Sequence, residues 1–176
     1  MGAEEEASMR RLILMRHGQA ERQAPGQEDI ERALDAEGRA ESRRMGQALA
    51  EAGLAPDLAL ISTARRTEET WRAVGEAFGP GVDVEPRRAL YAATAVQIAN
   101  AVQDASSRSE VVMVVGHNPG IHQYAVHLAR KGRAGPEART LMERFPTGSA
   151  AVFGVDAAGG PVFERLLLAK ALRNEV

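Results

Sequence analysis

Leu12-Ile13-Leu14-Met15 runs directly into Arg16-His17-Gly18, and Val111-Val112-Met113-Val114-Val115 runs directly into Gly116-His117-Asn118-Pro119. A short run with no polar face must be buried on both sides, which suits a central strand of a sheet covered by helices. A glycine turn at its end then leaves polar side chains at the edge of that sheet. Leu58-Ala59-Leu60-Ile61 is a third such run, and it opens into Ser62-Thr63-Ala64-Arg65-Arg66-Thr67-Glu68-Glu69-Thr70. Ligands of layered α/β folds sit outside strand ends of this kind. Three ends that deliver two histidines and several arginines to one place suit a phosphoryl group, held by cations and attacked by nitrogen.

The segments between the runs read as helices. Asp35 is placed to cap a helix over 36–52, whose Ala36, Ala40, Met45, Ala48, Leu49 and Ala52 form an apolar stripe ended by Gly53. Ser62 is placed to cap a second helix reaching about Phe78, where Gly79 and Pro80 stop it. Val82 to Val84 reads as a short strand. Thr94 and Gln97 have capping-box spacing ahead of Val96, Ile98, Ala99 and Val102. Asn118 followed by Pro119 reads as an N-cap and first helical residue, with Ile121, Tyr124, Ala125, Leu128 and Ala129 at helical spacing as far as Gly132. Glu137 to Arg144 reads as one or two helical turns. Ala150 to Val155 and Val162 to Leu168 flank a turn and read as a closing hairpin. Together these predict an α/β protein, a three-layer α/β/α sandwich whose central sheet is mostly parallel with a late antiparallel hairpin.

With 176 residues, one domain over 9–176 is expected, preceded by a disordered acidic tail at 1–8. Met9 offers an alternative start. The tail lacks the cationic and apolar regions of a signal peptide, so a cytoplasmic location is expected. Basic residues number 22 against 24 acidic, which gives no overall electrostatic footprint for nucleic acid or membrane. No apolar run approaches the ~20 residues of a membrane helix. The chain has no cysteine, which removes disulfides and thiolate chemistry. His122 and His127 are spaced by five and lack a His-Glu-x-x-His pattern, so no metal and no cofactor are expected. Gly116 to Gly120 lacks the lysine and the spacing of a P-loop.

The three blocks, in this order and at these separations, resemble the histidine phosphatase (phosphoglycerate mutase-like) superfamily over nearly the whole chain. Short length, Arg32-Ala33-Leu34 leading to Gly38, and Phe145-Pro146-Thr147-Gly148-Ser149 look most like its SixA-type phosphohistidine phosphatase branch. The resemblance implies that His17 is the nucleophile, that Arg16 and Arg66 clamp phosphate oxygens, and that His117 completes the pocket. Thr63 and Glu69 stand where the family commonly has proline and glutamine.

The implied reaction is metal-independent hydrolysis through a phosphohistidine at His17, with phosphohistidine on a protein as the leading substrate. A small-molecule phosphomonoesterase and a catalytically silent phosphate-binding module are the competing readings. Partners are accordingly a phosphorylated protein or a small phosphoester, and the sequence leaves the oligomeric state open. Arg32 could reach the pocket from its polar loop, as readily as be a surface residue. Glu85 is the acidic residue near the place where mutase-type relatives carry a general acid, and a weak candidate for that role. His122 is a lesser candidate for the pocket rim, and Ser149 could bring a hydroxyl near the site. Arg65 is expected to face solvent, and Trp71 and Tyr91 to pack. A phosphoramidate leaving nitrogen needs less protonation than an alkoxide, so lack of an acid would fit phosphohistidine.

Overall fold

Each apolar run is a strand, and each extends slightly beyond its apolar core. In the computed structural model, which describes residues 8–132 and 135–174, β1 spans Arg11–Arg16, β2 Leu58–Ser62 and β4 Val111–Gly116. β3 (Asp83–Arg87) flanks β2, and β5 (Ala150–Val155) and β6 (Pro161–Leu167) form the closing hairpin. The single six-stranded sheet has the order β3-β2-β4-β1-β5-β6. β3, β2, β4 and β1 pair in parallel, whereas β5 pairs antiparallel with both β1 and β6.

Alternation along β1 sends Leu12 and Leu14 into one apolar cluster and Ile13 and Met15 into another. The first cluster is covered by α3 (Ala95–Ala105), α4 (Gly120–Lys131) and α5 (Pro136–Glu143), through Ile98, Val102, Ile121, Tyr124 and Leu141. The second is covered by α1 (Ala36–Glu51) and α2 (Arg65–Gly75), through Met45, Leu49 and Val74. These are the three layers that the sequence predicts. Burial of each large aliphatic side chain contributes roughly 1.5–3 kcal/mol, so the two clusters hold the sheet from both sides.

Several boundaries differ from expectation. Asp35 caps α1 by accepting from the Gly38 N–H, and Thr94 with Gln97 makes the capping box of α3. Ser62, however, is the last residue of β2 and does not cap α2, which starts at Arg65 behind Ala64 and ends at Gly75. Nor does Asn118 cap α4. Its Nδ2 is committed to the Phe145 carbonyl at 2.9 Å, the Asn118–Pro119 peptide is cis, and the helix begins at Gly120. β3 lies further along the chain than 82–84 and contains Pro86, which an edge strand tolerates because one side of its backbone needs no ladder partner. The expected tail at 1–8 lies outside the described residues except for Ser8, which is exposed.

Candidate active site

The pairing of β1 with β4 places the two histidines side by side. Arg16 is in register with Gly116, so the next residues, His17 and His117, leave adjacent parallel strands together. The His17 N–H extends the ladder to the Gly116 carbonyl at 3.1 Å, and its own carbonyl accepts from Gly148 at 2.9 Å. The imidazole centroids are 5.2 Å apart, close to the spacing of neighbouring strands. Arg66 arrives from the first turn of α2, which follows the adjoining strand β2. Thr70 ties this turn to β1: its hydroxyl accepts from the Gly18 N–H at 2.9 Å and donates to the Arg66 carbonyl at 2.6 Å.

Hydrogen bonding fixes which nitrogens are free. His17 Nδ1 lies 2.7 Å from the Gly18 carbonyl, which can only accept, so Nδ1 carries the proton and Nε2 keeps its lone pair. Arg66 Nε donates to that Nε2 at 3.3 Å, and Arg66 Nη2 lies 3.4 Å from His117 Nδ1. Because a guanidinium has no acceptor, His117 Nδ1 receives this contact, and Nε2–H of the neutral ring faces the Ser62 hydroxyl at 2.7 Å. The Ser62 hydroxyl thus meets His117, and it also accepts from the Ala64 N–H at 3.3 Å, one residue short of α2. The two histidines are 8% and 6% exposed. Burial, only partly offset by the Gly18 hydrogen bond, lowers His17 to about 3, with the charges of His117, Arg66 and Arg16 adding to the effect. Burial and Arg66 lower His117 to about 4, while Asp29 pulls it upward. Both imidazoles are therefore neutral near pH 7.

Arg16 donates through Nη1 to the Phe145 carbonyl at 3.1 Å, and its Nε is buried without a hydrogen-bond partner. Burial lowers its pKa. Ser149 is pinned through its carbonyl, which accepts from the Arg16 N–H at 3.0 Å, while its Oγ is buried and unpartnered.

Arg32 does not contact the imidazoles in this arrangement. Its Nη1 donates to Asp29 Oδ1 at 3.0 Å and its Nε to the Glu21 carbonyl at 2.9 Å. Glu85 lies on edge strand β3, paired with Arg87 and Arg108, and hydrogen bonds from both lower its pKa to about 2. It is a surface ion pair, not a proton donor. His122 places Nε2 2.6 Å from the Leu141 carbonyl and stacks on Phe145, so it serves the packing of α4 on α5. Arg65 is exposed and paired with Glu69, and His127 is exposed. Trp71 packs against Phe78.

Asp29 and Tyr91 join the cluster in a way the sequence did not signal. Asp29 belongs to a short 3-10 turn in the loop after β1, and its Oδ2 accepts from Arg66 Nη2 at 2.9 Å and from the Tyr91 hydroxyl at 2.8 Å. The Tyr91 ring stands edge-on to His117. Partial burial works against ionisation of Asp29, but hydrogen bonds from Arg32, Tyr91 and Arg66 win and hold it near 2. No spacing rule singles out one aspartate in a polar loop.

Residues 12–91, which carry β1, the Asp29 loop, β2, α2 and Tyr91, match the family described as histidine phosphatase superfamily (branch 1). The match covers less than half of the chain, and it makes the chain similar to the histidine phosphatase superfamily. Solved histidine phosphatases share the fold over their whole length. A protein from Agrobacterium tumefaciens assigned as phosphohistidine phosphatase SixA is 28% identical, with a TM-score of 0.80 over 91% of this chain and 98% of that one. One from Nakamurella multipartitia, with the same assignment, is also 28% identical, with a TM-score of 0.78 over 93% and 98%. A protein histidine phosphatase SixA complexed with tungstate is 23% identical, with a TM-score of 0.75 over 92% and 99%. No curated protein matches the chain.

Proposed function

We propose that the protein is a histidine phosphatase, that it hydrolyses a phosphoryl group through a covalent phosphohistidine at His17, and that its substrate is phosphohistidine on a protein. The observation that carries this reading is the His17 ring: Nδ1 is committed to the Gly18 carbonyl, and the lone pair on Nε2 faces Arg66 beside His117. A nucleophile aimed at the point where fixed cationic donors meet is the arrangement phosphoryl transfer requires, since the transition state spreads charge over its equatorial oxygens.

In the proposed course, Nε2 attacks phosphorus in line as the bond to the leaving group breaks. Arg16 and Arg66 hold the phosphoryl oxygens, Arg66 by a fork that lysine lacks. A bound phosphate dianion favours protonation of His117, which then donates to it. Water next attacks phospho-His17, which releases phosphate and restores the neutral ring. The leaving group narrows the substrate. The carboxylate at the cluster, Asp29, and Glu85, the weak candidate for a general acid, are both held ionised with pKa values of about 2. Neither has a proton to give an alkoxide near neutrality. A phosphohistidine protonated on its distal nitrogen departs as neutral imidazole and needs none.

The test is a parallel assay of a phosphohistidine peptide and common phosphomonoesters, with acid-free quenching and mass spectrometry of the enzyme. Wild type is expected to prefer the peptide and to trap phosphate on His17, and His17→Ala to give neither label nor turnover. Faster hydrolysis of alkyl phosphomonoesters would overturn the substrate, and oxyanion binding without a labelled histidine would overturn the catalytic reading.

A further inference from the structure

The donors of Arg66 divide into two sets. Its end-on pair, Nη1 and Nη2, meets Asp29 twice: Nη1 donates to the Asp29 backbone carbonyl at 2.8 Å and Nη2 to its Oδ2 at 2.9 Å. Its side-on pair, Nε and the second hydrogen of Nη2, points to His17 Nε2 and His117 Nδ1. A guanidinium is planar, so fixing one edge fixes the other. The side-on edge is the one directed between the two imidazoles, where the proposed function puts the phosphoryl group. Asp29 therefore does not occupy the edge that faces the substrate.

We infer that Asp29 is a positioning residue, whose carboxylate and carbonyl lock the Arg66 guanidinium so that its Nε–Nη2 edge faces the reacting phosphoryl group. The inference rests on the proposed function and deepens it. Asp29 is itself held from two further sides, by Arg32 on Oδ1 and by the Tyr91 hydroxyl on Oδ2. Arg66 and Tyr91, distant in sequence, and the nearby Arg32 thus converge on one carboxylate, and the role of Arg32 becomes indirect, acting through Asp29 rather than on the substrate. The side chain of Asp29 is 40% exposed while that of Arg66 is 7% exposed, so the lock reaches a buried cation from the surface. A buried guanidinium without this acceptor could turn about its own side-chain torsions. Misplacement by about 1 Å away from the chemistry can cost about a hundredfold in rate.

Charge supplies a second consequence. His117 is faced by Arg66, Arg16, His17, Tyr91 and Asp29, and of these groups Asp29 is the one that favours the protonated ring. Removing its charge lowers His117 further below its present value of about 4. A residue that only braced the loop would leave that titration where it is.

The experiment compares wild type, Asp29→Asn, Asp29→Ala and Tyr91→Phe by turnover of a phosphohistidine peptide, by binding of tungstate, and by NMR titration of the His117 ring. Asp29→Ala is expected to lower kcat/KM by roughly tenfold to a hundredfold and to weaken tungstate binding, while circular dichroism reports a retained fold. Asp29→Asn keeps an oxygen acceptor for Arg66, so it recovers much of the activity while still shifting His117 downward. Tyr91→Phe removes a partner of Asp29 but not Arg66's acceptor, so its loss is smaller than that of Asp29→Ala. Unchanged kinetics and an unchanged His117 titration in Asp29→Ala, beside an active wild type, would overturn the positioning role. Tighter tungstate binding in Asp29→Ala would overturn it too, because it would make Asp29 a competitor of the substrate. Failure of wild type itself to bind tungstate or turn over peptide would instead remove the proposed function and, with it, this inference.

Discussion

Arg66 carries more of the cluster's geometry than any other side chain, since it touches His17, His117 and Asp29 at once. A lysine there keeps the charge but offers one ammonium to partners that now share two edges of a plane. Loss of a single preorganised oxyanion donor costs about 2.7–4 kcal/mol. Arg66→Lys should accordingly lower kcat/KM on phosphohistidine peptide by a factor on the order of 10²–10³, and stopped-flow measurement of peptide turnover checks it. The histidines make a separate prediction. With free-enzyme values of about 3 and about 4, both rings should stay neutral down to pH 5, so NMR should show no titration of His17 or His117 between pH 7 and pH 5. The two histidines and Arg16 are legible because each sits at the end of an apolar run, whereas Arg66 is told apart from Arg65 by the family resemblance alone. Asp29 is not legible, because its partners Arg66 and Tyr91 lie far along the chain and polar loop residues carry no periodicity. Ser62 does not cap α2 as the sequence suggests, since its hydroxyl meets the Ala64 N–H and the His117 imidazole, and a serine ahead of a helix carries no mark of such a distant partner.

Among the elements, the buried strands were the most legible, because a run with no polar face has few other fates. β3 was displaced from its expected position because an edge strand is half solvated: Asp83, Val84 and Pro86 are exposed, and the hydrophobic pattern loses contrast there. Helix starts were read correctly where the cap is local, at Asp35 and Thr94, and incorrectly at Asn118, whose side chain answers to the Phe145 carbonyl. The seating of α1 against the residues after β1 yields a prediction at this scale. A Cβ built on Gly38 would lie 2.1 Å from the Gln19 carbonyl oxygen and 2.8 Å from the Gln19 nitrogen. Backbone cannot swing aside as a flexible side chain can. Gly38→Ala should therefore push Gln19 outward and with it the turn that carries the Gly18 carbonyl, the acceptor for His17 Nδ1. Overpacking of this kind costs about 1–3 kcal/mol. Urea denaturation should show that loss, and peptide turnover should fall further than stability alone explains.

At the scale of the whole molecule, the fold holds two neutral imidazoles in a place where protonation is unfavourable, and this couples stability to pH. An unfolded histidine titrates near its ordinary 6.5, whereas His17 and His117 titrate at about 3 and about 4 in the folded chain. Above pH 6.5 both states carry neutral rings and the groups contribute no pH dependence. Below it the unfolded chain takes up protons that the native chain refuses, so stability falls as pH falls, by up to ~1.4 kcal/mol per pH unit for each ring. Asp29 and Glu85, lowered to about 2, act in a lower window: the stability they contribute above their unfolded values is lost as pH falls from about 4 toward 2. Both are partly exposed, so solvent screening keeps that contribution small. Glu41 works in the opposite sense, since burial raises its carboxyl and so favours the folded state as pH falls through its window. His17 and His117 share one sign, and above pH 5 no lowered carboxylate yet titrates, so this pair should set the slope. Thermal unfolding followed by circular dichroism should show Tm falling from pH 6.5 to pH 4.5, with a shallower fall in the double variant His17→Gln, His117→Gln. Saturating phosphate should flatten the wild-type curve as well, because an oxyanion between the rings favours their protonated forms. If the double variant kept the full wild-type slope, the pH dependence would have its source elsewhere in the molecule, and the two rings would not be the neutral, buried pair from which the proposed nucleophile is drawn.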